Sequence, residues 1–239
     1  MGSTRLPGKT MMAIDGKNSL FDYVIKQITS SKISNNIAIA TTVSQEDSVI
    51  VEFAQKIGLD CFQGDPTDVL DRYYQCSKKF SISPIVRISA DDPLIDPNII
   101  NAVIEKFLLG SFDYVSNVHP RTFPQGNEVE IFSFNALEQA WKYAKKQSER
   151  EHVTPFMYNN PDLFALGNVE QSENLSSLRW TVDTQKDLDF VRLVISKIQK
   201  RPIFMTDIMN VLSKEPTLLE INKNHVLDEG YLKSIKNDD

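Results

Sequence analysis

The stretch PIVRISADDPLIDP, residues 84–97, begins as an apolar strand and ends in two aspartates and a proline-rich turn. Helical spacing follows in residues 98–109 (NIINAVIEKFLL), and residues 112–118 (FDYVSNV) again resemble a strand. Towards the N-terminus the same alternation continues to an amphipathic helix that begins after Asn18 or Ser19. Strands that alternate with helices of about 10–15 residues indicate βαβ units, so the sequence predicts an α/β fold with a mostly parallel sheet.

The pattern changes near residue 119. A loop, a strand at 128–134 and two helical stretches follow, before SLRWTVDT (177–184) again has the pattern of an apolar strand that ends in an aspartate. We therefore predict a single domain over residues 1–239, in which the βα core spans about 1–118 and resumes near 175. Residues 119–174 are expected to form an insertion in this core.

Composition excludes several classes of protein. The 239 residues carry 26 Lys+Arg against 32 Asp+Glu, a net charge of −6, and contain no basic run of the kind that binds nucleic acid. Two cysteines cannot form a disulfide scaffold or a four-cysteine zinc site. No apolar run approaches the roughly 18 residues that span a bilayer, and the N-terminus lacks the apolar core of a signal peptide. We expect a cytoplasmic protein without nucleic-acid or membrane partners.

The most informative stretch is GSTRLPGKT at residues 2–10. Its glycines allow a ligand to approach the backbone, and its hydroxyl and cationic side chains suit a polyphosphate. A P-loop is a weaker alternative, because that motif has one residue fewer between its glycines and follows a strand. A solvated surface turn is a further alternative. The candidate phosphate-binding residues are Gly2, Ser3, Thr4, Arg5, Gly8 and Lys9.

Two aspartates follow apolar strand-like segments. Asp91 follows residues 84–90, and Asp183 occupies the same place in SLRWTVDT. Open α/β sheets bind ligands at the carboxyl ends of their strands, and carboxylates beside a triphosphate commonly hold Mg²⁺. Either aspartate alone is equally well explained as a helix cap. Together with the loop at 2–10 they predict a site for Mg²⁺ and a nucleoside triphosphate.

Several long motifs occur in the order and at the distances found in one known family. The chain resembles the acylneuraminate cytidylyltransferases, most closely those of spore-coat polysaccharide biosynthesis, and the resemblance extends to about residue 190. It implies a Rossmann-like nucleotidyltransferase fold, with three α/β/α layers and a mostly parallel mixed sheet. It also implies transfer of CMP from CTP to a sugar acid, with release of pyrophosphate, for surface polysaccharide synthesis. The motifs are MGSTRLPGK, ATT (40–42), GDPTDVLDRYY (64–74), RISADDPLIDP, SEREHVTP and LRWTVDT.

The resemblance also implies roles for individual residues. Arg5 and Lys9 would bind the CTP phosphates and stabilise charge during transfer, while Asp91 and Asp183 would hold Mg²⁺. The cytosine base would be read near the phosphate loop and the strand ends, by the residues Thr41 and Arg87.

Residues 119–174 resemble the part of the family that faces the acceptor and forms the dimer, so we expect a homodimer. His152 either orients or deprotonates an acceptor hydroxyl, or is a hydrogen-bonded structural histidine. The candidate acceptor-binding residues are Arg121, Gln125, Glu128, Arg150, Glu151 and His152.

The chain departs from the family pattern at three places. Relatives carry a hydrophobic strand ending in Ala-Arg directly before the phosphate loop, whereas this sequence opens at Met1. We expect in-frame codons upstream of Met1 to encode such a strand; a chain without it could also be a catalytically inactive nucleotide- or sugar-binding homologue. In addition, residues 90–92 (ADD) replace Gly-Asp-Cys, and residues 127–128 (NE) replace Leu-Asp.

Overall fold

Helices and strands alternate between residues 20 and 116, and helices predominate in the described residues that follow. The structure is a computed structural model that describes residues 1–33, 36–223 and 227–238. The helices of these residues are α1 (Leu20–Thr29), α2 (Ser48–Ile57), α3 (Val69–Phe80), α4 (Pro97–Leu109), α5 (Phe134–Tyr143), α6 (Gln147–His152), α7 (Pro155–Tyr158), α8 (Gln185–Lys197), α9 (Met205–Lys214) and α10 (Glu229–Ile235). The strands are β1 (Ala38–Thr42), β2 (Asp60–Gly64), β3 (Ile85–Arg87), β4 (Tyr114–Ser116), β5 (Glu130–Phe132) and β6 (Leu166–Asn168).

The described strands form two sheets. β1 and β2 pair in parallel, with Ala38 opposite Asp60. The second sheet has the order β3-β5-β4-β6, in which β5 is antiparallel to both neighbours and β4 is parallel to β6. The mixed strand directions predicted from the resemblance are therefore confirmed, although the strands divide between two sheets.

Two hydrophobic cores lie on opposite faces of the four-stranded sheet. Val115 and Ile131 face the core formed with α1, α4, α8 and α9, whereas Tyr114 and Phe132 face the core formed with α3, α5 and α7. Successive residues of a strand point to opposite faces, so each short strand contributes to both cores. Burial of one such large apolar side chain stabilises the fold by about 1.5–3 kcal/mol. This arrangement confirms the three-layer α/β/α architecture.

The segment at 177–184 is not a strand, contrary to its apolar pattern. It pairs through single contacts rather than a continuous ladder and bends at Thr181 and Asp183. The amide of Trp180 donates to the Gln125 carbonyl at 2.7 Å, and the amide of Val182 donates to the Asp91 carbonyl at 2.9 Å. These two bonds bring residue 183 beside Asp91.

Residues 119–174 contribute to the core sheet as well as to its surroundings. β5 lies between β3 and β4, and β6 forms an edge of the same sheet. The pattern of residues 128–134 predicted β5, whereas β6 (Leu166–Asn168) has only three residues with a central glycine and gave no strand signal. No described helix has the length and apolar character required to cross a membrane.

A glycine fixes the loop that precedes β5. Gly126 has a φ of 94°, and a Cβ atom at this position would lie 2.5 Å from the backbone nitrogen of Thr181. The Gly126 amide also donates to Oε2 of Glu128 at 2.6 Å. The absence of a side chain therefore allows the loop to pack directly on the backbone of residues 180–181.

Replacing Gly126 with alanine should destabilise the protein by at least about 2 kcal/mol, because the left-handed backbone and the backbone clash both oppose a side chain. Urea unfolding of Gly126→Ala against wild type measures the change. Gly16→Ala is the matched control, since a Cβ at Gly16 meets no atom within 4 Å. Equal unfolding free energies for the two variants would contradict this packing argument.

Candidate active site

A lysine ammonium group connects the N-terminal loop to both predicted aspartates. Lys9 follows Gly8, whose φ of 73° allows the loop to turn into a short 3₁₀ helix. Its Nζ atom donates to Oδ2 of Asp91 at 2.7 Å, to Oδ1 of Asp183 at 2.8 Å and to the Val182 carbonyl at 2.8 Å. Three segments that are distant in sequence therefore meet at one cation.

The partners of Lys9 and Asp183 favour the charged forms of these two groups. Burial opposes the charge on Lys9, but Asp91 and Asp183 outweigh burial and raise the pKa of Lys9 above its ordinary value. Burial likewise opposes ionisation of Asp183, but Lys9, Arg179 and Arg5 together lower the pKa of Asp183 to about 2. Lys9 and Asp183 therefore form a charged, hydrogen-bonded pair at neutral pH.

The donor set at this point fits a divalent cation. The carboxylates of Asp91 and Asp183 already converge on one positive centre, the Lys9 ammonium, together with a backbone carbonyl. Mg²⁺ is typically held by one or two carboxylates plus substrate phosphates and water, rather than by a cage of protein ligands. The described residues contain no group of three or more acidic, histidine or cysteine side chains that could hold a metal ion.

A cavity of about 1010 Å³ opens beside the cluster. Its wall runs from Arg5, Asp91 and Asp183 at one end to Arg87 of β3, together with Glu130 and other residues of the 119–174 region, at the other. This volume is at the upper end of the roughly 300–1,000 Å³ typical of small-molecule sites, so two substrates can be accommodated together.

Arg179 supports the aspartate end of the cavity, and the sequence prediction missed it. Its guanidinium donates to Asp183 at 2.7 Å and to Asp187 at 2.9 Å, which fixes the orientation of the Asp183 carboxylate. Asp187 in turn accepts the hydroxyl of Thr184 within the capping box of α8. The available signal was its position in the predicted strand at 177–184, where strand alternation would place Arg179 on the same face as Asp183.

A buried carboxylate organises the other end of the cavity. Oε1 of Glu130 accepts the hydroxyls of Tyr114 and Thr154, both at 2.6 Å, and its other oxygen pairs with Arg87. Burial raises the pKa of Glu130, but Arg87 and the two hydroxyls outweigh it and lower that pKa. Sequence reasoning missed Glu130 because its partners come from β3, β4 and the start of α7.

The structure brings half of the predicted site residues to the cavity wall. Besides the phosphate-end residues Arg5, Asp91 and Asp183, the wall includes acceptor candidates from the 119–174 region. His152 is among these, and its Nε2 lies 3.0 Å from the Ser234 hydroxyl, while burial lowers its pKa. The predicted residues in the wall are Arg5, Arg87, Asp91, Arg121, Gln125, Glu128, His152 and Asp183.

Other predicted residues do not line the cavity. Thr41 donates its hydroxyl to Asp47 at 2.8 Å, so the structure does not place Thr41 and Arg87 around one base. Arg150 donates hydrogen bonds to the Asp68 carboxylate, and Glu151 accepts a hydrogen bond from the Ser234 hydroxyl at 2.8 Å. These contacts give Arg150 and Glu151 structural partners in place of the predicted acceptor contact. In the phosphate loop, Lys9 reaches Asp91 and Asp183 without lining the cavity, and the other predicted residues outside its wall are Gly2, Ser3, Thr4 and Gly8.

Comparison with known proteins identifies the class to which this fold and site belong. A cytidylyltransferase structure from Leptospira borgpetersenii superposes with a TM-score of 0.88 at 30% identity, covering 95% of this chain and 94% of that one. A CMP:2-keto-3-deoxy-manno-octonic acid synthetase complexed with CTP has a TM-score of 0.61 at 14% identity, which shows a shared fold. The fold is that of the nucleotidyltransferases.

The family follows from the sequence comparisons. The cytidylyltransferase family model matches residues 1–229, so the chain belongs to the cytidylyltransferase family and is a CTP-using nucleotidyltransferase. An uncharacterized protein of Methanocaldococcus jannaschii is 37% identical over 93% of this chain and 91% of its own length. The spore coat polysaccharide biosynthesis protein SpsF of Bacillus subtilis is 28% identical over 90% of this chain and 92% of its own. A 3-deoxy-manno-octulosonate cytidylyltransferase of Lawsonia intracellularis is 31% identical over 45% of this chain and 42% of its own.

The lowered pKa of Asp183 predicts a defined pH dependence of stability. The folded-state pKa of about 2 lies below the ordinary value of 3.8, so on acidification the unfolded chain binds this proton first. The stabilisation from Asp183 is therefore complete above about pH 4 and is lost as the pH falls towards 2. In urea unfolding, the free energy of unfolding of wild type should exceed that of Asp183→Asn by about 2 kcal/mol at pH 5 and by roughly half as much at pH 3. A difference that stays constant over this range would contradict stabilisation of the ionised carboxylate by Lys9 and Arg179.

Proposed function

We propose that this cytidylyltransferase transfers CMP from CTP to a sugar acid of the acylneuraminate or octulosonate type, for surface-polysaccharide synthesis. The observation that carries the proposal is the cluster of Lys9, Asp91 and Asp183, which lies beside Arg5 at one end of the large cavity. The names of the relatives support the substrate class, because they include a spore coat polysaccharide protein and 3-deoxy-manno-octulosonate cytidylyltransferases.

The phosphate end would bind the triphosphate. Arg5 and Lys9 supply the cations, and the flexible backbone around Gly2 and Gly8 allows close approach of the phosphates. Asp91 and Asp183 would hold Mg²⁺, which when bound supplies neutralisation of the phosphate oxygens. Arg179 keeps the Asp183 carboxylate oriented while its other partners change.

The acceptor would lie at the opposite end, between Arg121, Glu128 and His152. Its hydroxyl oxygen forms a bond to the α-phosphorus of CTP, the bond from that phosphorus to the bridging oxygen breaks, and pyrophosphate and the hydroxyl proton are released. Such transfers depend mainly on positioning and on stabilisation of charge at the phosphoryl oxygens. The fixed Arg87–Glu130 pair makes the floor of this end rigid.

Residues 119–174 are proposed to form the contact of a homodimer, in addition to their contribution to the sheet. Light scattering of the purified protein would test this assembly.

Removing either aspartate should abolish transfer. With CTP, Mg²⁺ and a panel of sugar acids, pyrophosphate release by Asp91→Asn and Asp183→Asn should fall at least about 100-fold, because each change removes a carboxylate from the cation-binding cluster. Asp189→Asn is the matched control, since Asp189 is an exposed residue of α8 that contacts Gln185 and Arg192 outside the cavity. Turnover within a few-fold of wild type in Asp91→Asn would contradict its role. Pyrophosphate release with neutral sugars alone would contradict the acceptor class.

A further inference from the structure

The C-terminal part of the chain lies beside the cavity and lines part of it. We call residues 227–238 the C-terminal strap; residues 227–231 line the cavity, and α10 lies within the strap. Oε2 of Glu229 accepts a hydrogen bond from Arg5 at 2.7 Å, and Oδ1 of Asp228 accepts one from Arg121 at 3.1 Å. The strap is thus joined to the phosphate loop and to the acceptor end at once.

Contacts further along the strap hold it against the acceptor end. Ser234 contacts His152 at 3.0 Å and donates to Glu151 at 2.8 Å. Asp238 accepts the amide and the hydroxyl of Ser148 at 2.8 and 2.6 Å. Because these contacts lie outside the two ion pairs, the strap can remain docked while Asp228 and Glu229 release their arginines.

The strap carboxylates are the more exposed partners of both arginines. Arg5 also pairs with Asp183, and Arg121 also pairs with Glu128. The side chains of Asp228 and Glu229 are 51% and 37% exposed, against 26% for Glu128 and 18% for Asp183. Ion pairs that are open to water contribute little to stability, so the two strap carboxylates are the partners that are most easily displaced.

The other arginines of the cavity wall are held more tightly. Arg87 pairs with Glu130, whose side chain is only 5% exposed and makes two further hydrogen bonds. Arg179 is fixed by two carboxylates. Among the described wall residues, Arg5 and Arg121 are therefore the arginines that can exchange a carboxylate for an anionic ligand. A guanidinium group can donate two parallel hydrogen bonds to a phosphate or to a carboxylate in the same planar geometry.

We propose that the strap mimics the anionic groups of both substrates: Glu229 occupies the place of a CTP phosphate on Arg5, and Asp228 occupies the place of the acceptor carboxylate on Arg121. Each substrate then binds by displacing one strap carboxylate. The inference rests on the proposed function and adds two assignments to it. Arg121 becomes the residue that selects a carboxylate-bearing acceptor, and the strap becomes an internal competitor that limits affinity for both substrates.

The nucleotide half of the proposal is tested by calorimetric titration with CTP and Mg²⁺ in the absence of acceptor. Glu229→Gln keeps the size of the side chain and removes its charge, so CTP should bind about two- to fivefold more tightly than to wild type. Glu220→Gln is the matched control, because Glu220 also lines the cavity but pairs with Lys223 rather than with an arginine of the site. Its CTP affinity should equal that of wild type.

The acceptor half is tested with 3-deoxy-manno-octulosonate as the probe. Asp228→Asn should bind this sugar acid about two- to fivefold more tightly than wild type, whereas Glu229→Gln should not change its affinity. Equal affinity in Asp228→Asn and wild type, or no binding to either, would overturn the assignment of Arg121.

The CTP titrations distinguish failure of the strap proposal from failure of the proposed function. CTP binding that Glu229→Gln leaves unchanged, or that Glu220→Gln strengthens equally, would overturn the strap proposal and leave the proposed function standing. Absence of CTP binding by wild type and every variant would overturn the proposed function together with the strap proposal.

Discussion

The site depends on a single ammonium group. Lys9 is contacted by Asp91, Asp183 and the Val182 carbonyl, and its side chain is only 13% exposed. A partly buried cation of this kind requires its carboxylates, and the carboxylates require the cation, because removal of either leaves an uncompensated charge. The phosphate loop is therefore held against two other segments of the chain, more than eighty residues away, that present their aspartates.

The fold supplies those two positions by different means. Asp91 follows β3 in the four-stranded sheet, which is fixed by a hydrophobic core on each face. Asp183 follows a segment that two backbone hydrogen bonds align, and Arg179 orients its carboxylate. Gly126 permits the close backbone approach on which this alignment depends. Hydrophobic packing thus fixes the position of Asp91, and a network of polar contacts fixes the position of Asp183.

Local sequence patterns were sufficient to find the cation cluster. The glycines and cations of residues 2–10, and the aspartates after two apolar runs, are short-range signals, and all four proposed catalytic residues meet in space or line the cavity. Sequence reasoning failed where a role depends on distant partners. Nothing near Arg150 indicates that it binds Asp68, and nothing near Glu130 indicates that Arg87, Tyr114 and Thr154 surround it. The apolar run at 177–184 predicted a strand, and this prediction was wrong. An apolar pattern indicates that residues are buried, but it does not indicate whether a neighbouring strand is available to pair with them.

The most direct test of a CTP and magnesium site at Lys9, Asp91 and Asp183 is the melting temperature of the wild-type protein with CTP, UTP, ATP or GTP, each with and without Mg²⁺. A ligand at 100 times its Kd stabilises a protein by about 2.7 kcal/mol, which is readily measured as a rise in Tm. The melting temperature should rise most with CTP, and this rise should depend on Mg²⁺. Stabilisation by ATP or GTP alone, or by no nucleotide at all, would contradict it.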